Sequence, residues 1–311
     1  MNNLQRLHTN FISDRLLYLV VVVLFIVFRF LGVEKWENAE LWISTGIQIG
    51  IAFLLVFLNQ TFGMIRGRTA LPAIFFLLLT GTNPLYFNDL TGSISALVII
   101  VCLFWLLGCY QNPNSQLAAF NIALLLTLGS FYWPPLIVFF PLVWFGMFRF
   151  RSLNIKSFVA FLLGFLLVFL FLITWSIYSK DNISLFLDEL FQYDALRYVQ
   201  YFPFELRESI VIGFLLLLFV LSGFKIFMAD ISEKVKSITI LSWFFIFTLV
   251  VLVFYIIQYQ FVKEWGLILH IPFAFLLSHY FSSPNNRGNS WLFLFTILFF
   301  VLFFVSLTVL I

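Results

Sequence analysis

Residues 157–178 read SFVAFLLGFLLVFLFLITWSIY and carry no charged side chain along their 22 positions. A helix needs about 20 consecutive apolar residues to cross the hydrocarbon core of a bilayer. A strand of a membrane β-barrel would instead alternate apolar and polar residues over about ten positions. The run therefore predicts a transmembrane α-helix and favours a helical membrane protein.

The composition of the whole chain leads to the same conclusion. Of its 311 residues, 63% are hydrophobic and 10% are charged, and the mean hydropathy is +1.07. Soluble domains contain roughly 45–50% apolar and about 25% charged residues, so a water-soluble globular protein is excluded. We therefore predict an all-α, polytopic membrane protein in which residues 1–311 form a single integral-membrane domain.

The apolar runs give the expected number of crossings. We predict about eleven transmembrane helices, or nine if one pair of the shorter runs is re-entrant. Pro72, Pro84, Pro134 and Pro135 are expected to shorten or kink the helices near them. The predicted runs are 16–33, 41–58, 70–87, 94–110, 117–130, 134–148, 157–178, 209–227, 238–258, 265–281 and 291–311.

The distribution of charge predicts the orientation. With a cytoplasmic N-terminus and an outer C-terminus, eleven Lys and Arg residues fall on the inner side and five on the outer side. This is the asymmetry expected from the accumulation of basic residues in cytoplasmic loops. With the same topology, eleven of the fourteen acidic residues lie on the outer side, so the predicted outer surface is acidic.

The longest outer connection is the segment 179–208, which holds nine of the 31 charged residues. On a helical wheel, residues 183–199 place apolar side chains on one side, which predicts an amphipathic helix lying in the membrane interface. Asp194 and Arg197 fall on the apolar side, three positions apart. They either pair with each other or face a polar cavity between the spans.

The first outer loop, VEKWENAELW, places Glu34, Glu37 and Glu40 about three residues apart. On a helix, these carboxylates would share one face. Acids clustered beside a membrane cavity can act as general bases or hold a divalent cation. The alternative is that they face water near Trp36 and Trp42, which fit an interfacial aromatic belt.

Three further ionisable residues lie at or inside predicted spans. Asp89 belongs to the polar connection GTNPLYFNDLTGS (81–93), where turn chemistry is the alternative to a functional role. Arg29 lies in the outer quarter of the first span, where it could extend to the lipid headgroups or bind an anion such as a lipid phosphate. His270, about two turns into the tenth span, is either functional or a buried, hydrogen-bonded histidine.

No sequence motif indicates a cofactor. Nucleotide, flavin, haem, P-loop and metalloprotease signatures do not occur in the chain. We expect no cofactor other than a divalent cation held by the clustered acids. We expect membrane lipids as partners, and no nucleic acid.

Two stretches carry a resemblance to a known family. Residues 58–84, LNQTFGMIRGRTALPAIFFLLLTGTNP, and residues 120–152, FNIALLLTLGSFYWPPLIVFFPLVWFGMFRFRS, resemble a family of Phe-rich multi-pass inner-membrane proteins of Bacteroidota-type bacteria. The similarity extends over most of the chain. It implies a location in the bacterial cytoplasmic membrane and implies no particular activity.

The layout also resembles integral-membrane glycosyltransferases that use polyprenyl-phosphate sugars. The shared features are a cytoplasmic N-terminus, an acidic first outer loop, and a later outer loop with an interfacial helix. This resemblance implies that Glu37, Glu40 or Asp89 deprotonates the acceptor. It implies that a phosphate is held by an arginine, for which the candidates are Arg29, Arg197 and Arg207. Asp194 and His270 complete the candidate catalytic residues.

Three functions are consistent with the sequence. The first is an enzyme that handles a polyprenyl-phosphate-linked sugar or a related lipid on the outer face. The second is a non-catalytic scaffold or partner subunit of a cell-envelope assembly, with the charged outer loop as its docking surface. The third is a secondary transporter, which requires ionisable residues and broken helices near the middle of the membrane.

Overall fold

The computed structural model describes residues 16–32, 38–65, 69–179, 206–228, 234–282 and 287–309. Within these residues the chain is helical and contains no β-strand. Seven of the described helices are long and apolar enough to cross a membrane. The all-α class is therefore confirmed for the described residues, and the seven long apolar helices are consistent with a polytopic membrane protein.

Each of the eleven predicted apolar runs overlaps one α-helix in the described part of the chain. Four of these helices are shorter than the seven that meet the length for a crossing. The helices are α1 (Leu16–Leu31), α2 (Ala39–Phe62), α3 (Leu71–Gly81), α4 (Leu90–Gly108), α5 (Gln116–Tyr132), α6 (Phe139–Arg149), α7 (Ile155–Ser179), α8 (Leu206–Phe227), α9 (Val235–Ile257), α10 (Val262–Phe281) and α11 (Arg287–Val309).

Proline determines where several of the short helices begin and end. Pro72 lies in the first turn of α3, where the missing N–H has no cost, and Pro84 begins a 3₁₀ turn, Pro84–Tyr86, three residues after α3 ends. Pro134 and Pro135 begin a second 3₁₀ turn, Pro134–Val138, directly after α5. The prediction that these four prolines shorten the helices is confirmed.

By contacts, the chain divides into two compact units. The first unit comprises Met1–Ala96, Pro203–Leu252 and Lys263–Ile311, and the second comprises Leu97–Phe202 and Val253–Val262. The single integral-membrane domain over residues 1–311 stays a prediction.

In the first unit, side chains join helix ends at three places. At one place, the end of α1, the start of α2, the connection 82–89 and the starts of α4 and α10 come together, as detailed below. Elsewhere, Ser237 Oγ at the start of α9 donates to the Gly63 carbonyl after α2 at 3.1 Å. Lys225 Nζ near the end of α8 donates to the carbonyls of His279 and Tyr280 near the end of α10, at 2.8 and 2.6 Å.

In the second unit, α5 and α7 pack closely because Gly164 has no side chain. A Cβ at this position would overlap the carbonyl oxygen of Phe120 and lie 3.1 Å from the Cβ of Ala123. Aromatic side chains fill the neighbouring space, with the Phe140 ring 5.3 Å from Phe161 and 5.6 Å from Phe165, both nearly edge-on.

In the second unit, the turn that precedes α5 and the turn that precedes α7 are joined by neutral polar side chains, here called the serine cluster: Ser115, Ser152, Asn154 and Ser157. Ser115 Oγ donates to the Ser152 carbonyl at 2.9 Å, and Asn154 Nδ2 donates to the Pro113 carbonyl at 2.8 Å. The turns 111–115 and 150–154 are therefore held together.

Within each unit, these contacts connect loops that the charge distribution places on the same side of the membrane. The turns 111–115 and 150–154 both fall on the predicted inner side. The Gly63–Ser237 contact joins two predicted inner ends, and so does the contact of Lys225 with Tyr280. The connection 82–89 and the start of α10 are both predicted to be outer. The contacts thus agree with the predicted pairing of helix ends.

Candidate functional site

Arg29 lies inside the first unit, half a turn before α1 ends, and only 3% of its surface is exposed. Its Nη1 donates to Thr45 Oγ1 at 2.9 Å, to the Phe87 carbonyl at 2.8 Å and, more weakly, to Ser44 Oγ at 3.4 Å. Its Nη2 donates to Gln48 Oε1 and, at 3.3 Å, to the Tyr86 carbonyl. The guanidinium is directed into the protein, so the interpretation that Arg29 extends to the headgroups is wrong.

The residues Arg29, Ser44, Thr45 and Gln48 form what we call the arginine clamp. Two adjacent carbonyls each receive two donors from it. The Phe87 carbonyl also accepts from Ser44 Oγ at 2.6 Å, and the Tyr86 carbonyl also accepts from Gln48 Nε2 at 3.1 Å. The clamp therefore fixes the backbone of the turn that follows Pro84.

Among the described residues, every acceptor of the Arg29 guanidinium is neutral. Burial of a cation in apolar surroundings is unfavourable unless nearby groups replace its hydration. Here the replacement comes from carbonyl and hydroxyl dipoles and from two aromatic rings, since the guanidinium carbon lies 4.8 Å from the Phe25 ring centre and 4.7 Å from that of Phe87. Within the described chain, only Nε of this guanidinium has no hydrogen-bond acceptor.

Gln48 connects the clamp to the start of α4. Its Nε2 donates to Ser93 Oγ at 3.0 Å, and Ser93 Oγ donates to the Asp89 carbonyl at 2.6 Å. Asp89 directly precedes α4, and its Oδ1 accepts from the Gly92 N–H at 2.8 Å, which is the geometry of a helix N-cap. The position of Asp89 is thus fixed by its own capping bond and by the clamp.

The Asp89 carboxyl is buried, with 6% of the residue exposed. No side chain or backbone group in the described ranges donates to Oδ2. Burial raises the pKa of this carboxyl, and the Gly92 N–H and the charge of Lys263 act in the opposite direction. Asp89 is therefore a stronger base than an exposed aspartate.

A second carboxyl group, that of Glu264, lies beside Asp89. Glu264 is in the first turn of α10, and its Oε2 is buried and lacks a donor from the described part of the chain. A Cβ added at Gly92 would overlap the Asp89 carboxyl and lie 3.0 Å from the Cα of Glu264. The two negative charges are close enough to repel each other. Two neighbouring carboxyl groups of this kind can accept and release protons.

His270 lies further along α10 and is 3% exposed. Its ring is perpendicular to that of Tyr86, with 5.1 Å between ring centres, and its Nδ1 has no partner within the described residues. Tyr86 also contacts the start of α10, where a Cβ at Gly266 would overlap its hydroxyl. The structure thus brings together three predicted site residues around one turn: Arg29, Asp89 and His270.

The other predicted site residues do not join this cluster in the described structure. Glu40 is exposed in the first turn of α2, where the Asn38 side chain caps the helix by accepting from the Glu40 N–H at 3.0 Å. Arg207 is the second residue of α8, and its side chain lies outside the described part. Glu37, Asp194, Arg197 and the predicted interfacial helix also lie outside the described residues.

The sequence-based prediction missed the polar side of α2 and did not include Glu264 among the candidate catalytic residues. Ser44, Thr45 and Gln48 recur at helical spacing within an apolar run, which places them on one face. This polar face, which begins four residues after Glu40, could have been used to predict an internal polar contact from the sequence. The approach of Glu264 to Asp89 has no local sequence signal, because it depends on the packing of α10 against α4.

The described residues contain no group of three or more His, Cys, Asp and Glu side chains arranged to hold a metal ion. The acids of the first outer loop that the divalent-cation prediction invoked include Glu37, which is outside the described ranges.

Comparison with known proteins adds no family. No family model, no curated protein and no solved structure matches this chain.

Proposed function

We propose that the protein is a membrane-embedded transferase that takes a sugar, or a related group, from a polyprenyl-phosphate-linked donor. The proposed location is the bacterial cytoplasmic membrane, with the N-terminus inside, about eleven crossings and the site facing outward. The observation that carries the proposal is the buried Asp89 carboxyl, with Oδ2 unpartnered among the described residues and Glu264 beside it.

In this proposal, Asp89 is the general base. It accepts the proton of an acceptor hydroxyl while the hydroxyl oxygen forms a bond to the anomeric carbon of the sugar. The bond from that carbon to the phosphate oxygen breaks, and polyprenyl phosphate leaves with the electron pair. Burial favours this role because the raised pKa of Asp89 makes it a better proton acceptor near neutral pH.

The proposal changes the role of Arg29. A phosphate ligand would need free guanidinium N–H groups, whereas Nη1 and Nη2 of Arg29 already bind the clamp residues and the turn. Arg197 and Arg207 therefore remain the proposed phosphate-binding residues, since arginine suits contact with two phosphate oxygens. The likeness in layout to polyprenyl-phosphate-dependent glycosyltransferases supports this assignment only as a resemblance.

The test is complementation of a deletion strain with Asp89→Asn, Asp89→Glu and, as control, Glu40→Gln. Glu40 is an exposed acid near the same helix ends, so its loss should have little effect. We expect Asp89→Asn to reduce transfer by about 10²- to 10⁴-fold, as for the loss of a general base. Mass spectrometry of extracted lipids should then detect accumulation of a polyprenyl-phosphate-linked donor.

Two results would count against the enzyme. Full complementation by Asp89→Asn at normal membrane levels would eliminate the proposed base and favour a scaffold. Uptake or efflux that depends on Asp89, with unchanged lipid-linked intermediates, would favour a transporter.

A further inference from the structure

We infer that Arg29 is a positioning residue for Asp89 and that it acts through Gln48, Ser93 and the turn between α3 and α4. The inference rests on the proposed role of Asp89 as the base. It gives the buried arginine a function other than anion binding: to keep Asp89 Oδ2 on the side of Glu264.

The turn that leads into Asp89 is attached to the arginine clamp. Tyr86 and Phe87 lie two and three residues before Asp89, and their carbonyls together accept four hydrogen bonds from the clamp. Hydrogen bonds from a charged donor are stronger than those between neutral groups. The backbone that leads into Asp89 is therefore held by α1 and α2 rather than by its own helix alone.

The hydrogen bonds from Arg29 through Gln48 and Ser93 to Asp89 have a fixed order of donors and acceptors. A guanidinium can only donate, so the group of Gln48 that faces Arg29 must be its carbonyl oxygen. The amide nitrogen of Gln48 then necessarily points the other way, toward Tyr86 and Ser93. Ser93 Oγ accepts from Gln48 and so is left to donate to the Asp89 carbonyl. Arg29 thus determines the orientation of Gln48 and Ser93 in this series of hydrogen bonds.

The buried guanidinium of Arg29 carries a charge that costs free energy to hold inside the protein. Charged side chains inside a membrane protein are unfavourable and usually face one another or a polar cavity. In the described structure Arg29 has only neutral hydrogen-bond acceptors, and its two Nη atoms are occupied by them. A role in which the charge strengthens and orients hydrogen bonds agrees with these contacts.

The experiment measures the Asp89 carboxyl directly. A hydrophobic carbodiimide reacts with protonated carboxyl groups in apolar surroundings, so labelling of Asp89 reports its protonation and burial. The purified full-length protein is labelled in detergent over a range of pH, and the modified peptide is quantified by mass spectrometry. In the described chain, the charged or titratable groups nearest Asp89 are Glu264 and Lys263 of α10. Arg29, Tyr86 and His270 lie farther from it in the same cluster.

The variants are Ser93→Ala and Gln48→Leu, with Ser95→Ala as a matched control. Ser93 and Ser95 are both fully buried serines on α4, but only Ser93 belongs to the chain from Arg29. If Arg29 positions Asp89, both test variants let water reach the carboxyl, and the labelling midpoint moves down by about one pH unit. Ser95→Ala should label as the wild type does.

Unchanged labelling in both Ser93→Ala and Gln48→Leu would overturn the inference. Arg29→Lys adds a further comparison, because lysine keeps the charge but cannot serve both Nη positions. These variants decide the question even if Arg29→Lys does not fold.

The labelling does not depend on enzyme activity, so the two proposals fail separately. A shifted midpoint together with full complementation by Asp89→Asn would retain the positioning role and reject the enzyme. A severe loss of complementation by Asp89→Asn, together with unshifted labelling midpoints in the other variants, would retain the enzyme and reject the positioning role.

Discussion

The arginine clamp of the first unit and the serine cluster of the second use the same device with different results. In both, side chains donate to backbone carbonyls and hold a turn. The serine cluster is neutral, and none of its described side-chain atoms lacks a partner. The clamp contains a buried cation, and the residues around it leave Arg29 Nε, Asp89 Oδ2 and His270 Nδ1 without partners among the described residues.

The difference separates a structural network from a candidate site. A network that serves only stability can satisfy each of its polar atoms, as the serine cluster does. Unsatisfied buried atoms are costly, and four of those in the described residues, on Arg29, Asp89, Glu264 and His270, belong to the cluster around one turn, which supports the proposed site.

Arg29→Met should be the most destabilising of these substitutions. It removes the donors of five hydrogen bonds and leaves the Gln48 oxygen buried without its charged partner. Hydrogen bonds to a charged group contribute about 1.5–3 kcal/mol each, so we expect a net loss of about 3 kcal/mol or more, measurable as a lower unfolding midpoint in detergent. The control Lys156→Met alters an exposed residue and should change stability by less than about 0.5 kcal/mol. Equal midpoints for the two variants would show that the clamp contributes nothing.

Gly164→Ala should be the next largest, and it tests packing in the second unit. The added methyl group meets the carbonyl of Phe120, so α5 and α7 must separate, at about 1–3 kcal/mol. Gly213→Ala is the control, because a Cβ there meets no atom of the described structure within 4 Å. Alanine in that open helical position should stabilise by about 0.5–1 kcal/mol. Thermal unfolding of both variants should therefore shift in opposite directions.

Ser115→Ala should cost about 1–2 kcal/mol, because the Ser152 carbonyl loses a buried donor. Ser95→Ala provides the contrast within the first unit. The Ser95 hydroxyl is buried and has no partner among the residues described, so its removal should be neutral or slightly stabilising. Unfolding midpoints compare the two serines, and an equal loss in both would remove the distinction between satisfied and unsatisfied polar atoms.

Asp89→Asn should change stability least when measured at a single pH. It should most clearly change how stability depends on pH. Burial raises the pKa of Asp89 above its ordinary value, so between the two values the folded state binds the proton and the unfolded state does not. Its contribution to stability is therefore greatest below the ordinary pKa and declines as the pH rises through the folded pKa. Asparagine removes this decline.

The measurement is the unfolding midpoint against pH for the wild type and Asp89→Asn. We expect the difference between them to change most over the range just above the ordinary pKa of aspartate. A parallel pair of curves would contradict the raised pKa of Asp89.

The sequence predicted the helices well because their determinants are local. Apolar runs and prolines act within a few residues, so the runs around Pro72 and Pro134 were located with their breaks. His270 was identified because ionisable residues are rare in such runs, and Asp89 because it lies in a polar connection between two of them. The partners of these residues were not predictable, since Glu264 reaches Asp89 only through the packing of α10 against α4. For Arg29, extension to the headgroups and anion binding were both consistent with the sequence, and its inward direction was not predictable because it depends on polar side chains of a different helix.

The orientation of Gln48 also limits how protons can travel. An amide neither gains nor loses a proton under ordinary conditions, so the chain from Arg29 through Gln48 cannot conduct one, unlike a wire of hydroxyl groups or water. Its last link ends on the Asp89 backbone carbonyl rather than on the carboxyl group. The network therefore holds Asp89 in place and does not conduct protons from Asp89 toward α1. On its other side, within the part of the chain that the structure describes, the Asp89 carboxyl lies beside Glu264.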